Sequence, residues 1–297
     1  MKRYAVVDIG TNSARLMVAH TKGRSVVADH KTLRLVRVGE GMTSQRRITQ
    51  DAMQRTAKAL LGFLSISDTF NVDAFYCFAT SAVRDAQNSA EFSEYIRREC
   101  GLKIDIISGE REALLGFAGS IEGRGGMFDI GGGSTEVMAG SLDHISFQQS
   151  FDIGTVRCLQ MFPGADDADQ KAFLPAHELA AHTFKNIPKA KGFTYTAIGG
   201  TATALAAIDL RLFEYDAGKI HGHVLSLEKA ESICSSLKRQ TAQQRAERFF
   251  LEKYKADVIV FGAILFAEFI KAADAPHVII SDSDNLEGYL KFKLGLV

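Results

Sequence analysis

The chain has 297 residues, 46% of them apolar and 24% charged, a balance that fits an ordinary globular protein and excludes disordered and fibrous classes. Thirty-five Lys and Arg offset thirty-five Asp and Glu, so no global field draws the protein to nucleic acid or to a membrane surface, and any polyanion must be met by a local patch. The length exceeds what one hydrophobic core usually supports and suits two domains.

Strands are predicted over 4–9, 14–19 and 26–38, the last two alternating or rich in β-branched residues. A helix follows over 50–64, where Met53, Ala57, Leu60, Leu61 and Leu64 recur at helical spacing behind Thr49 as N-cap. A strand (74–79), a helix (90–100, behind Ser89), a strand (102–107) and a helix (110–121) complete a βββαβαβα order. After "EGRGG", Glu122 to Gly126, read as the hinge, the pattern restarts with strands over 127–130, 135–139 and 145–151. Helices over 155–161 and 169–186, a strand over 194–198, helices over 203–209, 227–238 and 257–273, a strand over 277–280 and a helix over 286–293 close the chain. The expected domains are therefore 1–122 and 123–284, two βββαβα-type halves.

Both halves open on the same frame. Asp8-Ile9-Gly10-Thr11-Asn12-Ser13 and Asp129-Ile130-Gly131-Gly132-Gly133-Ser134 each follow an apolar strand and precede another. One such stretch reads as a hairpin turn, since Gly accepts positive φ and Asp bonds nearby amides. Two in equivalent places read as a duplicated unit. Glycine-rich turns let backbone N–H groups approach phosphate oxygens closely, and Ser and Thr hydroxyls add donors, so the pair is expected to clamp one phosphate from opposite sides of a cleft between the domains.

Cys77, Cys100, Cys158 and Cys234 are scattered, without C-x-x-C or metal-ligand spacing, which points to a reducing compartment. "MKRYAVVDIG" runs directly into a predicted strand with no export signal, and no apolar run reaches membrane-spanning length; the expected location is the cytoplasm, with no membrane or nucleic-acid partner. His221 and His223 alternate, but no third ligand or H-E-x-x-H helix supports zinc, so a structural role is expected. The basic run containing Lys238, Arg239, Arg245 and Arg248 is interrupted by Glu247 and Glu252 and reads as a solvated helix face.

The ordered set "DIGTNSARLMV", "RVGEGM", "FATSAVRDAQN", "ISGEREALLGF", "DIGGGSTE", "DIGTVR" and "IGGTATALAA" resembles the exopolyphosphatase and guanosine pentaphosphate phosphohydrolase family, within the actin-like, sugar-kinase and Hsp70 superfamily. The resemblance implies an α/β fold of two ribonuclease H-like (actin-like) domains with mixed sheets. It also implies that a C-terminal helix over 285–297 returns to the first domain, and a homodimer is the expected assembly.

Glu112, at the start of a helix, would by spacing alone be an ordinary macrodipole residue like Glu110. The resemblance makes it the general base. Asp129 and Glu136 bracket the second turn; they either hold magnesium (manganese being possible) or serve as a turn-fixing Asp and a solvent-facing Glu. Asp8 is the corresponding metal candidate in the first turn. Arg84 is open between a phosphate contact, which the resemblance favours, and an ion pair with Asp85 or Glu91. Gly199, Gly200 and Thr201 supply a third turn that holds either a further phosphate or a close helix contact.

The expected activity is release of terminal phosphate from inorganic polyphosphate, with guanosine pentaphosphate hydrolysis and non-catalytic phosphate or nucleotide sensing as alternatives. An ATP-dependent sugar kinase is disfavoured, because the two core halves leave little chain for a sugar pocket. The sequence departs from the family at Asp284-Asn285-Leu286, where related chains carry Gly-Leu-Arg, and it ends at Val297 where longer members continue into a helical domain. Beyond the cleft the chain offers a few flanking residues such as Arg84, Arg46 and Arg47, so short polyphosphates are the expected substrates.

Overall fold

The computed structural model describes residues 2–42, 46–162 and 170–297. The chain divides into two compact units, Met1–Gly119 with Asn285–Val297, and Ser120–Asp284.

The first unit contains β1 (Arg3–Ile9), β2 (Ser13–Lys22), β3 (Ser25–Leu35), α1 (Gln50–Thr69), β4 (Ala74–Ala79), α2 (Ser81–Arg84), α3 (Ser89–Cys100), β5 (Asp105–Ile106) and α4 (Gly109–Ser120). Its sheet runs β3-β2-β1-β4-β5, with β1 antiparallel to β2 and parallel to β4. Burial on both faces explains the near-continuous apolar run of β1. Thr49 caps α1 as expected, accepting from the Ala52 N–H at 3.2 Å. The helix outruns its predicted end by five residues, its last turn carrying Ile66, which packs with Phe70 against the core of this unit. The third strand stops at Leu35 rather than Val38, since the Val36 and Arg37 amides leave the ladder to donate to Asn12 O at 3.1 and 2.8 Å. The one-turn α2 was not legible from periodicity.

The second unit contains β6 (Gly125–Ile130), β7 (Thr135–Gly140), β8 (Ile145–Phe151), α5 (Thr155–Met161), a 3-10 turn (Gln170–Phe173), α6 (Leu174–Phe184), β9 (Tyr195–Ile198), α7 (Gly199–Asp209), α8 (Ala217–Ile220), β10 (Val224–Ser226), α9 (Leu227–Lys238), α10 (Ala242–Phe249), α11 (Lys253–Ala272) and β11 (His277–Ile280). Its sheet, read as β8-β7-β6-β9-β11-β10, repeats the first sheet's order and strand directions and adds one antiparallel edge strand. Two mixed-sheet α/β units with the ribonuclease H-like strand order are therefore present. Pro175 sits in the first turn of α6, which begins at Leu174, after the 3-10 turn. The predicted start of that helix at Asp169 lies outside the described residues. Gly125 and Gly126, expected in the hinge, are strand residues; a Cβ on Gly126 would meet the Phe193 and Tyr195 rings at 2.5 and 2.6 Å.

The core of the second unit gathers around α11, where Phe128 stacks on Phe269 at 3.9 Å and meets Phe266 at 5.2 Å. Arg245 corrects the solvated-face reading of the basic run: it is fully buried, donating to Leu237 O and Ala256 O, both at 3.0 Å. A capping box, Thr241 with Gln244, starts its helix. The final helix, α12 (Asn285–Lys293), belongs to the first unit, where Tyr289 stacks on Phe78 at 4.5 Å. Leu286 lies in the same apolar cluster.

All four cysteines are free. Burial pushes the Cys158 thiol up to about 12 and Cys234 to about 11, and raises Cys77 further, with the Asp8 charge adding to the burial there. Cys100 is only partly buried. In the native protein at neutral pH a maleimide should therefore label Cys100 first, read by peptide mass mapping; prior labelling of Cys158 or Cys234 would contradict this packing.

Candidate active site

The two glycine turns share one geometry. In each, the first glycine donates to the serine carbonyl that closes the turn, Gly10 N–H to Ser13 O and Gly131 N–H to Ser134 O, both at 3.0 Å. A Cβ on either glycine would stand 3.2 Å from that oxygen. The duplication seen in the sequence is thus a repeated turn at the end of the first strand of each sheet.

The charges beside the turns differ. Asp8 and Arg15 are directly opposed on β1 and β2, and Arg15 Nη2 bonds Asp8 Oδ2 at 2.6 Å. At the equivalent register in the second unit Asp129 opposes Glu136, and both are buried, at 7% and 1% exposure. The Ser150 hydroxyl, next in the same row, donates to Glu136 Oε1 at 2.7 Å. Opposite charges across a ladder stabilise it and like charges destabilise it, so the two units differ in the charges set beside their turns. A hard divalent ion held by two carboxylates, with water and phosphate oxygens completing its shell, fits this donor set. Among the described residues no group of three or more His, Cys, Asp or Glu forms a protein-only metal cage.

Gly199 has φ +79° at the start of α7, and a Cβ there would lie 2.9 Å from the Asp129 carboxyl carbon. The glycine thus gives room to the Asp129 side chain. Thr201 spends its hydroxyl on Ile130 O at 2.7 Å, whereas Gly200 faces open space. In the first turn the Thr11 and Ser81 hydroxyls share a hydrogen bond of 2.9 Å, tying the turn to the end of β4.

Glu112 lies in the first turn of α4, capped by the Ser108 hydroxyl, which accepts from the Arg111 N–H at 3.2 Å. Its carboxylate is 7% exposed and accepts from Arg84 Nη1 at 3.0 Å. Arg84 Nη1 also donates to Ile107 O at 3.3 Å, and Nε lies 3.5 Å from Asp85. The structure therefore brings Arg84 and Glu112 together, a pairing that their separation of 28 residues hid. His223 pairs with Asp209 at 3.0 Å and His221 Nδ1 accepts from the Asp282 N–H at 3.4 Å, consistent with structural roles. Arg15 and Ser150 escaped the sequence reading, because only strand register shows what opposes Asp8 and Glu136.

Exopolyphosphatase 2 of Mycobacterium tuberculosis is 29% identical over 311 residues, covering 97% of this chain and 97% of that protein. The bifunctional 3-dehydroquinate synthase/phosphatase of Fusobacterium nucleatum is 29% identical over 303 residues; these cover 96% of this chain, which spans only 45% of that relative. The crystal structure of the Ppx/GppA family member of Aquifex aeolicus matches with a TM-score of 0.83 and 29% identity, over 99% of this chain and 97% of that one. With residues 17–294 matched by the model of the Ppx/GppA phosphatase family, the chain belongs to that family.

Proposed function

We propose that the protein removes terminal phosphate from short inorganic polyphosphates, with Glu112 as general base for the attacking water. The observation that carries this reading is a pair of buried carboxylates, Asp129 and Glu136, set opposite each other on the strands that flank a glycine turn. Magnesium held by that pair would supply Lewis-acid stabilisation of charge on the transferring phosphoryl group. The Arg84 guanidinium fixes the Glu112 carboxylate and retains donors for a phosphate oxygen, and in the second unit the Gly131–Ser134 turn offers its own amides to an anion. Free thiols throughout support placement in the cytoplasm.

The short-chain preference rests on charge. The net charge is zero, and Arg47 is already bonded to Glu91 at 3.0 Å. Further phosphates of a long chain gain little once salt screens them. A time course on long polyphosphate resolved by length should show a gradual shift through intermediates. Loss of long chains without intermediates would refute the distributive reading, and turnover of guanosine pentaphosphate above that of any polyphosphate would reassign the substrate.

A further inference from the structure

The carbonyls of the second turn are all engaged. Gly131 O accepts from the Thr155 N–H at 2.9 Å, and Gly132 O accepts from the Val156 and Arg157 N–H groups at 2.9 and 3.1 Å. Gly133 O accepts from Arg157 Nε at 2.8 Å. These oxygens belong to the three peptide planes whose opposite edges carry the N–H groups of Gly132, Gly133 and Ser134. Because N–H and C=O point in opposite directions across a trans peptide, holding the oxygens aims those amides away from α5. The Gly132, Gly133 and Ser134 amides donate to no protein group among the described residues.

The approach of α5 requires Gly154, where a Cβ would fall 2.6 Å from both Gly132 C and Gly132 O. The first unit uses a related device built from backbone alone: Asn12 O accepts from Val36 and Arg37 amides, and Thr11 O from the Gly39 amide at 3.0 Å. The third plane of the second turn differs, being held by a charged side chain.

We propose that Arg157 is a positioning residue for phosphate binding, holding the Gly133–Ser134 peptide so that the Ser134 amide faces a tetrahedral phosphoryl oxyanion. A charged donor on the carbonyl also polarises that peptide and strengthens its N–H as a donor. The Arg157 side chain keeps partial exposure and also pairs at 3.9 Å with Asp152, a largely exposed residue, so truncation leaves no core void. This inference rests on the phosphate-binding reading of the turn given under the proposed function.

The test is equilibrium binding of inorganic triphosphate with magnesium, measured calorimetrically in a Glu112→Gln background that slows turnover, together with thermal melting. Adding Arg157→Ala should weaken binding about tenfold or more, the loss expected for one charge-assisted hydrogen bond, with the melting temperature nearly unchanged. Arg157→Lys should recover part of the affinity by returning a charged donor. In the active enzyme Arg157→Ala should raise KM more than it lowers kcat. If Glu112→Gln binds triphosphate and Gly132→Val abolishes that binding while Arg157→Ala binds within twofold of its parent, the positioning role is overturned and the turn's function stands. If Glu112→Gln itself binds no triphosphate, the phosphate reading of the turn fails and the inference with it.

Discussion

Replacing Glu112 by Gln should lower turnover of short polyphosphate by roughly 10²–10⁴, the usual range for losing a general base, while triphosphate still binds. The substitution preserves shape. The Gln carbonyl can still accept from Arg84 Nη1, which lies 3.0 Å from Glu112 Oε2, so orientation survives while the capacity to take a proton from water is lost. A fall in kcat with little change in KM is the signature of a group needed in the transition state rather than for binding. Turnover within a few-fold of the unsubstituted protein would remove Glu112 from the chemistry and leave the Arg84 pair as a structural tie of α2 to α4.

The largest effect on stability should come from Gly288→Ala. Gly288 is where α12 crosses α4: a Cβ there would overlap the Leu115 carbonyl oxygen, stand 2.6 Å from its carbon and 3.0 Å from the Gly119 nitrogen. All three are backbone atoms, so the helices must separate. Separation loosens the Tyr289–Phe78 stack, the buried Leu286 and Leu290 contacts, the Tyr289 hydroxyl bond to Asp105 at 3.0 Å and the Lys291 bond to Ala118 O at 2.7 Å. Overpacking at such a contact costs about 1–3 kcal/mol, and the loosened contacts bring the expected loss to about 3 kcal/mol or more. Melting of the first unit should fall by about 10 °C. An unchanged melting temperature would mean that α12 does not seat against α4 at this residue.

Elements whose pattern is local were legible in the sequence. The 145–151 and 277–280 strands and the 155–161 and 227–238 helices appear at their expected bounds, because alternation, helical spacing and a cap such as Ser226 act within a few residues. The short α2, α8 and β10 were missed because three or four residues carry no period. The longer α10 was hidden by the charges around Arg245, whose burial and hydrogen bonds to two backbone carbonyls composition cannot show.

The site was legible in residue types and not in pairings. Both turns, Asp129, Glu136, Arg84 and Glu112 stand out as motifs, but the Asp8–Arg15 and Asp129–Glu136 oppositions need strand register, and the Arg84–Glu112 bond needs the folded chain. "DIGTVR" was visible as a motif without a task. Only the hydrogen bonds from Thr155, Val156 and Arg157 to the glycine turn give it one.

The most direct test of the central claim is release of orthophosphate from inorganic triphosphate by the full chain in magnesium buffer, with no acceptor molecule present and ATP run in parallel. The account predicts multiple turnovers on triphosphate, abolished by chelating the metal, and much slower release from ATP. Triphosphate left intact over many enzyme equivalents of time and protein, with the chain folded and the metal present, would contradict it.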